Sequence, residues 1–377
     1  MKKMNKLIII SFLSCIAIIS LAEAVMRDTQ FEYLCNTALP QDYYVADDEL
    51  GFDLAKNYPG GPHEFKGPPE WVTTNRFGCY DRELGDEPYI LVLGDDWSFG
   101  FAPEGKRWTD LLERKLGIRL LKCAVPQVGT RWEVIKAHRI IDSIGRAPLA
   151  VLIQYGPEDV VDDFEFPRHG VADGHAINII RTLDLATGQV TRLTPAEIRH
   201  DANAQAARRS GCKSVLYRTL WFQLREGRRQ ALVAALPSSE ATIQHMATVR
   251  DGDLISGNYL ALAAYHFNVW DFEHPDRPWF QAALFNHKQN IRDFSLLLPD
   301  NAAPIILLDP FNVFDKNLMK DMVGYFDKKK GTYRVSFPSM AQDEFWPYDI
   351  GWNAKGNAHA ANIIFDFIHY NNLKMSN

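Results

Sequence analysis

The sequence predicts an α/β fold: a three-layer domain built on a parallel sheet, interrupted by a mostly helical insertion. Three observations carry this. Continuously apolar runs of strand length recur along the chain, segments of helical spacing stand between them, and the same rhythm returns after a long interruption. Strands apolar at every position are buried on both faces, and intervening helices provide the right-handed crossovers that parallel pairing needs.

Tyr89 to Leu93 is the first strand and Trp108 to Leu116 the first helix. Arg119 to Val125 is the second strand. Trp132 to Ile144 follows as a helix, with Ile135, Arg139 and Ile140 in phase, and Leu149 to Tyr155 is the third strand. From about residue 164 to 300 the rhythm breaks. There "RTLDLATGQVTRL" reads as a hairpin around Thr187-Gly188, and Thr194-Pro195-Ala196-Glu197 as a helix start. Further helices are expected over Trp221 to Ala235 and Phe280 to Leu298. Pro304 to Leu308 resumes the sheet, and Ala358 to Tyr370 is the last helix. The chain thus divides into residues 1–26, a signal peptide or membrane anchor, 27–85, an irregular extension packed on the core, and 86–377, the α/β domain with its insertion.

Of the 377 residues 46% are hydrophobic and 23% charged, which suits one large or two modest globular domains. The net charge is −6 and the longest basic run is Lys328-Lys329-Lys330, so no nucleic-acid partner is expected. At the N-terminus MKKMNK precedes an apolar run from Leu7 to Ala22, and Ala22-Glu23-Ala24 has the form of a signal-peptidase site. Cleaved signal and uncleaved anchor both stay open. Either implies an exported protein, periplasmic or extracytoplasmic, held in the inner membrane by residues 7–24 if uncleaved.

Cys15 lies within the apolar run, and Cys35, Cys79, Cys123 and Cys212 follow. Four cysteines in an oxidising compartment allow three disulfide connectivities, while Cys123, ending an apolar strand, also reads as a buried thiol. There is no CxxC pair, no EF-hand loop and no HExxH, and His169, His175, His266 and His274 are scattered. No metal and no cofactor are therefore expected.

Several segments together resemble the SGNH/GDSL hydrolases, in particular exported, membrane-anchored bacterial members. "ILVLGDDWSFG" is similar to their strand–GDSxTxG opening, "VPQVGT" to their second block, "VLIQYGPEDVVDD" to their third and "DIGWNAKGNAHAA" to their last. "TTNRFGCYDRE" and "DELGFDLAKN" resemble a lead-in of the anchored members. The resemblance implies a flavodoxin-like parallel sheet and a site at the carboxyl ends of its strands. It also implies that the usual machinery is replaced. The family's serine falls on Asp96, its oxyanion-hole glycine near Ala124 or Gln127, its oxyanion-hole asparagine on Glu158 and its histidine on Gly351. The aspartate behind that histidine falls on Tyr348 or, with a one-residue slip, Asp349.

A serine esterase needs a hydroxyl, a base and neutral donors aimed at the oxyanion. Asp96 is a weak acyl nucleophile, Gly351 accepts no proton, and an ionised Glu158 repels an oxyanion. Ser98 has already entered the helix beyond the turn, and His359 lies inside the last helix. The candidate catalytic residues are thus Asp96, Glu158 and Asp349. Asp95, Trp97, Gln127, Asp159, Trp346 and Trp352 are the candidate ligand-binding ones, with the tryptophans offering faces for sugar stacking. Asp95 and Asp159 also read as loop braces, and Asp162 and Asp163 as solvated helix-start residues. The function expected is an exported pseudoenzyme that binds or helps process a glycan. The alternatives are a carbohydrate hydrolase or acyl-ester enzyme working through carboxylates, and a hard-cation site.

Overall fold

The computed structural model describes residues 40, 42–63, 70–100, 102–156, 159–184, 189–200, 203, 278–296, 304–310, 332–337, 344, 352–371 and 373. The chain enters through two short antiparallel hairpins, β1 (Tyr44–Asp47) with β2 (Gly51–Leu54) and β3 (Gly61–His63) with β4 (Glu70–Val72). The stretch expected to be irregular is therefore partly paired. Its strands are too short for their alternation to register as a pattern.

Then come β5 (Tyr89–Leu93), α1 (Asp96–Phe99), α2 (Trp108–Leu116), β6 (Arg119–Lys122), α3 (Thr130–Ile144), β7 (Ala150–Gln154) and α4 (Asp159–Glu165). Two more hairpins follow, β8 (His169–Ala172) with β9 (His175–Asn178) and β10 (Ile180–Asp184) with β11 (Gln189–Arg192). The latter is the hairpin expected around Thr187-Gly188, whose turn lies outside the described residues. The helix start at Thr194 closes as a capping box, with Thr194 N–H on Glu197 Oε2 at 2.8 Å and Glu197 N–H on Thr194 Oγ1 at 3.4 Å. The helix expected over Trp221 to Ala235 lies outside the described residues. The remaining elements are α5 (Pro278–Leu296), β12 (Ile305–Asp309), β13 (Thr332–Ser336) and α6 (Ala354–Tyr370).

Five strands form one parallel sheet in the order β13-β12-β7-β5-β6. Taking the sheet strands in chain order, this is the flavodoxin-like 2-1-3-4-5 arrangement. Every residue of β5, β7 and β12 is buried, the reason these runs lack alternation. Side chains still alternate in space. Ile90, Val92, Leu152, Ile306 and Leu308 share one core with Trp108, Leu112, Ala360 and Ile364 of α2 and α6. Leu91, Leu93, Val151, Ile153 and Leu307 pack on the other face with Val134, Ala137, Val160, Ala283 and Ile291 of α3, α4 and α5. These are the two helical layers around the sheet. The fifth strand was not legible: β13 sits at the edge, is only partly buried and carries Arg334. α6 starts earlier than its apolar pattern indicates, because the Asn353 side chain accepts from Lys355 N–H and Gly356 N–H and caps it there.

The N-terminal hairpins join the domain through a third core of Tyr43, Tyr44, Phe52, Leu54, Tyr80, Phe99, Val128 and Trp132. Two covalent or ionic ties reinforce it. Cys79 and Cys123 form a disulfide, settling the choice left open for Cys123. Lys136 of α3 is buried with its ammonium on both Asp53 oxygens, at 2.7 and 2.6 Å, and on the Phe77 carbonyl at 2.8 Å. Among the described residues no helix is long and apolar enough to cross a membrane. Residues 7–24 lie outside them.

Candidate functional site

Open parallel sheets bind ligands beyond the carboxyl ends of their strands, beside the point where strand order reverses. Here that point lies between β5 and β7. β5 leaves the sheet through Gly94, at φ 131°, where a Cβ would stand 2.7 Å from Ser98 Oγ and 2.8 Å from Gln154 Cβ. Only glycine lets the turn lie this close to β7. The chain then winds at once into α1, with Phe99 N–H on the Asp95 carbonyl at 2.8 Å and Gly100 N–H on that of Asp96 at 3.1 Å.

This winding sorts the side chains. Asp95 is buried, Asp96 is half-buried, and Trp97, Ser98 and Phe99 are buried. Ser98 N–H donates to Gln154 Oε1 at 3.2 Å, and Ser98 itself is 1% exposed, with no hydrogen-bond partner for Oγ among the described residues. Asp96 keeps access to solvent. The serine two residues later does not.

The second loop is tied to the first by Val125 N–H on the Gly94 carbonyl at 3.0 Å. Ala124 is buried beneath it. Gln127 is exposed at φ 62°, a left-handed conformation that disfavours any side chain. In the third loop Asp159 is buried and closes its own turn, its Oδ2 accepting Gly156 N–H at 2.9 Å. That is the bracing role expected of it. Glu158, Trp346, Asp349 and Gly351 lie outside the described residues, and with them the convergence expected of Asp96, Glu158 and Asp349.

Trp97 and Trp352 are brought together, with ring centroids 4.8 Å apart, and Phe337 stacks on Trp352 at 5.5 Å. Trp108 Nε1–H donates to the Trp97 carbonyl, its backbone N–H to Asn357 Oδ1, and Asn357 Nδ2–H to the Trp352 carbonyl. The pair therefore pins the start of α6 to the start of α2. Both rings are about 5% exposed, so a sugar reaches neither face unless the pair parts.

Two expectations are corrected. Asp162 and Asp163 are not solvated but buried, since α3 and α5 pack over α4. Asp162 pairs with Arg168, and burial holds its carboxyl above the usual range against that pairing. Asp163 accepts Arg131 N–H at 2.7 Å and Thr130 Oγ1–H at 2.6 Å, satisfying the first turn of α3. His169, one of the scattered histidines, is not at the surface but buried edge-on to Phe52, and burial, then the Arg168 charge, pushes its pKa down to about 3.

One polar centre was missed. His287 is fully buried on α5, with Nδ1 2.6 Å from Asp163 Oδ2 and Nε2 2.5 Å from Tyr155 Oη. The available signal was its phase: it stands a helical turn from both Ala283 and Ile291, on the apolar stripe. On α6, His359 Nδ1 lies 2.9 Å from Glu344 Oε1. Among the described residues no group of three or more His, Cys, Asp or Glu side chains is arranged to hold a metal ion.

No protein-family model matches the chain, and no curated protein matches it. Among solved structures it is similar to an acetyl xylan esterase (Est2A) from the rumen bacterium Butyrivibrio proteoclasticus. Identity is 9% and the TM-score 0.37, over 82% of this chain and 68% of that one. It is also similar to a carbohydrate esterase family 2 enzyme with a carbohydrate-binding domain from Corynascus thermopiles (Myceliophthora fergusii). There identity is 12% and the TM-score 0.33, over 80% of this chain and 70% of that one.

Proposed function

We propose that this chain is an exported, glycan-directed protein of the SGNH hydrolase type that does not act as a serine esterase. The turn after β5 carries the reading. Asp96, aligned with the serine of those hydrolases by the resemblance of "ILVLGDDWSFG" to their opening block, is half-buried, and Ser98, the nearest alternative, is enclosed against Gly94. A carboxylate there accepts hydrogen bonds from sugar hydroxyls, whereas an acyl-enzyme route calls for an activated hydroxyl. The order of the four sequence blocks and the 2-1-3-4-5 sheet support the family assignment. The Cys79–Cys123 disulfide and the apolar run at Leu7 to Ala22 support export.

The test uses the purified protein with a serine-directed fluorophosphonate, acetylated xylan oligosaccharides and a glycan array. The expected result is no labelling, no acetate release above a buffer blank, and glycan binding that Asp96→Ala weakens by about tenfold, the loss of one charge-assisted hydrogen bond. Stoichiometric labelling abolished by Ser98→Ala overturns the reading, and binding indifferent to Asp96→Ala places the ligand elsewhere.

A further inference from the structure

Beneath the two loops that flank the candidate site lies a polar cluster buried between three helices. Glu133, in the first turn of α3, is 1% exposed, and among the described residues neither of its carboxyl oxygens has a hydrogen-bond partner. Beside it runs a continuous chain. Tyr155 Oη meets His287 Nε2 at 2.5 Å, His287 Nδ1 meets Asp163 Oδ2 at 2.6 Å, and Thr130 Oγ1 donates to the same oxygen. With Nδ1–H donated to the carboxylate, Nε2 is left to accept the Tyr155 hydroxyl proton.

Three of its four members adjoin the site loops. Tyr155 directly precedes Gly156, Asp163 lies in the helix that Asp159 opens, and Thr130 begins the helix that follows Gln127. His287 comes from α5, so the chain is a polar contact that ties the insertion helix to the elements beneath the site. Asp163 is saturated with donors, from Arg131 N–H, Thr130 Oγ1–H and His287. Glu133 has none. A buried carboxylate without donors is far costlier than the neutral acid, and a second negative charge beside Asp163 adds to that cost.

We propose that Glu133 and the Tyr155–His287–Asp163–Thr130 chain form a proton-operated latch. While Glu133 carries its proton, α5 stays docked and the loops after β6 and β7 are held. Release of that proton places two carboxylates in one dry volume and lets α5 and both loops open to hydrate them. Among the described residues no ionisable group on the packed elements hydrogen-bonds Glu133. Asp162 of α4 is engaged by Arg168, and Lys136 of α3 by Asp53. Burial, then the Asp163 charge, holds Glu133 well above the ordinary carboxylate range. The latch does not depend on what the site binds.

Hydrogen–deuterium exchange of the full chain tests it, corrected for intrinsic exchange and followed in α5 and the loops after β6 and β7. In the parent the opening constant is expected to rise about tenfold per pH unit as pH climbs above the ordinary carboxylate range, the slope for release of one proton. Glu133→Gln, neutral at every pH, should abolish the slope. Tyr155→Phe should lower protection by one constant factor while keeping it. A parent with no pH slope, or a Glu133→Gln variant that retains one, overturns the latch. Should Glu133→Gln fail to fold, infrared spectroscopy of the parent decides. A protonated-carboxyl band that persists above the ordinary carboxylate range and fades as α5 opens upholds the latch, and its absence overturns it.

Discussion

The Cys79–Cys123 disulfide joins the segment between the N-terminal hairpins and β5 to the residue just after β6, and its removal has a magnitude that follows from where it sits. The two cysteines are 44 residues apart and both are fully buried in the core on the α3 face. Chain-entropy theory charges the unfolded state about 13 cal/mol/K for closing such a loop, or about 4 kcal/mol at 25 °C. The perturbation is Cys79→Ala with Cys123→Ala, measured by urea unfolding against the oxidised parent. We expect stability to fall by about 4 kcal/mol, and Cys79→Ala alone to cost nearly as much as the pair, because either change opens the same loop. Thiol alkylation in denaturant gives a second readout. Neither cysteine should react until a reductant is added. Reaction of both in unreduced protein, or a loss below about 1 kcal/mol, would refute the reasoning, since a closed loop of this length cannot be so cheap to open.

Three further outcomes are expected. Lys136→Met strands the buried Asp53 carboxylate and should cost about 3–5 kcal/mol, most of it recovered in Asp53→Leu/Lys136→Met; a double variant as unstable as the single one would mean the pair is not the cause. His169 stays neutral in the fold down to about pH 3, so its contribution is complete above its unfolded pKa of about 6.5 and is lost as pH falls from there toward 3. Titration of His169→Phe should accordingly flatten the acid limb of the stability curve by up to about 1.4 kcal/mol per pH unit; an unchanged limb would show that the imidazole is not buried. Gln127→Gly relieves the left-handed backbone at φ 62° and should raise stability by about 0.5–1 kcal/mol after the added entropy of glycine; calorimetry showing destabilisation would mean the Gln127 side chain holds the loop.

What the sequence determined by itself is the central layer. β5, β7 and β12 are runs in which every side chain is buried, and α2 shows its apolar stripe without distraction, so local composition and final environment agree. Sequence also located the turn after β5, because Gly94 and the short helix behind it leave few alternatives for where residues 95 to 99 point. The tertiary structure decided everything that depends on distant partners. Whether Asp162 and Asp163 meet water or protein is set by α5, which arrives more than a hundred residues later. Trp97 and Trp352 are both stacking candidates by sequence, yet they pack on each other, with Phe337 stacked on Trp352, in one core. The edge strand β13 draws its pairing from β12, and its own residues, half polar and half exposed, announce nothing. Charge follows the same rule. A carboxylate's composition is local, but its solvation belongs to its neighbours, so Glu133 reads as an ordinary helix residue until α4 and α5 close over it.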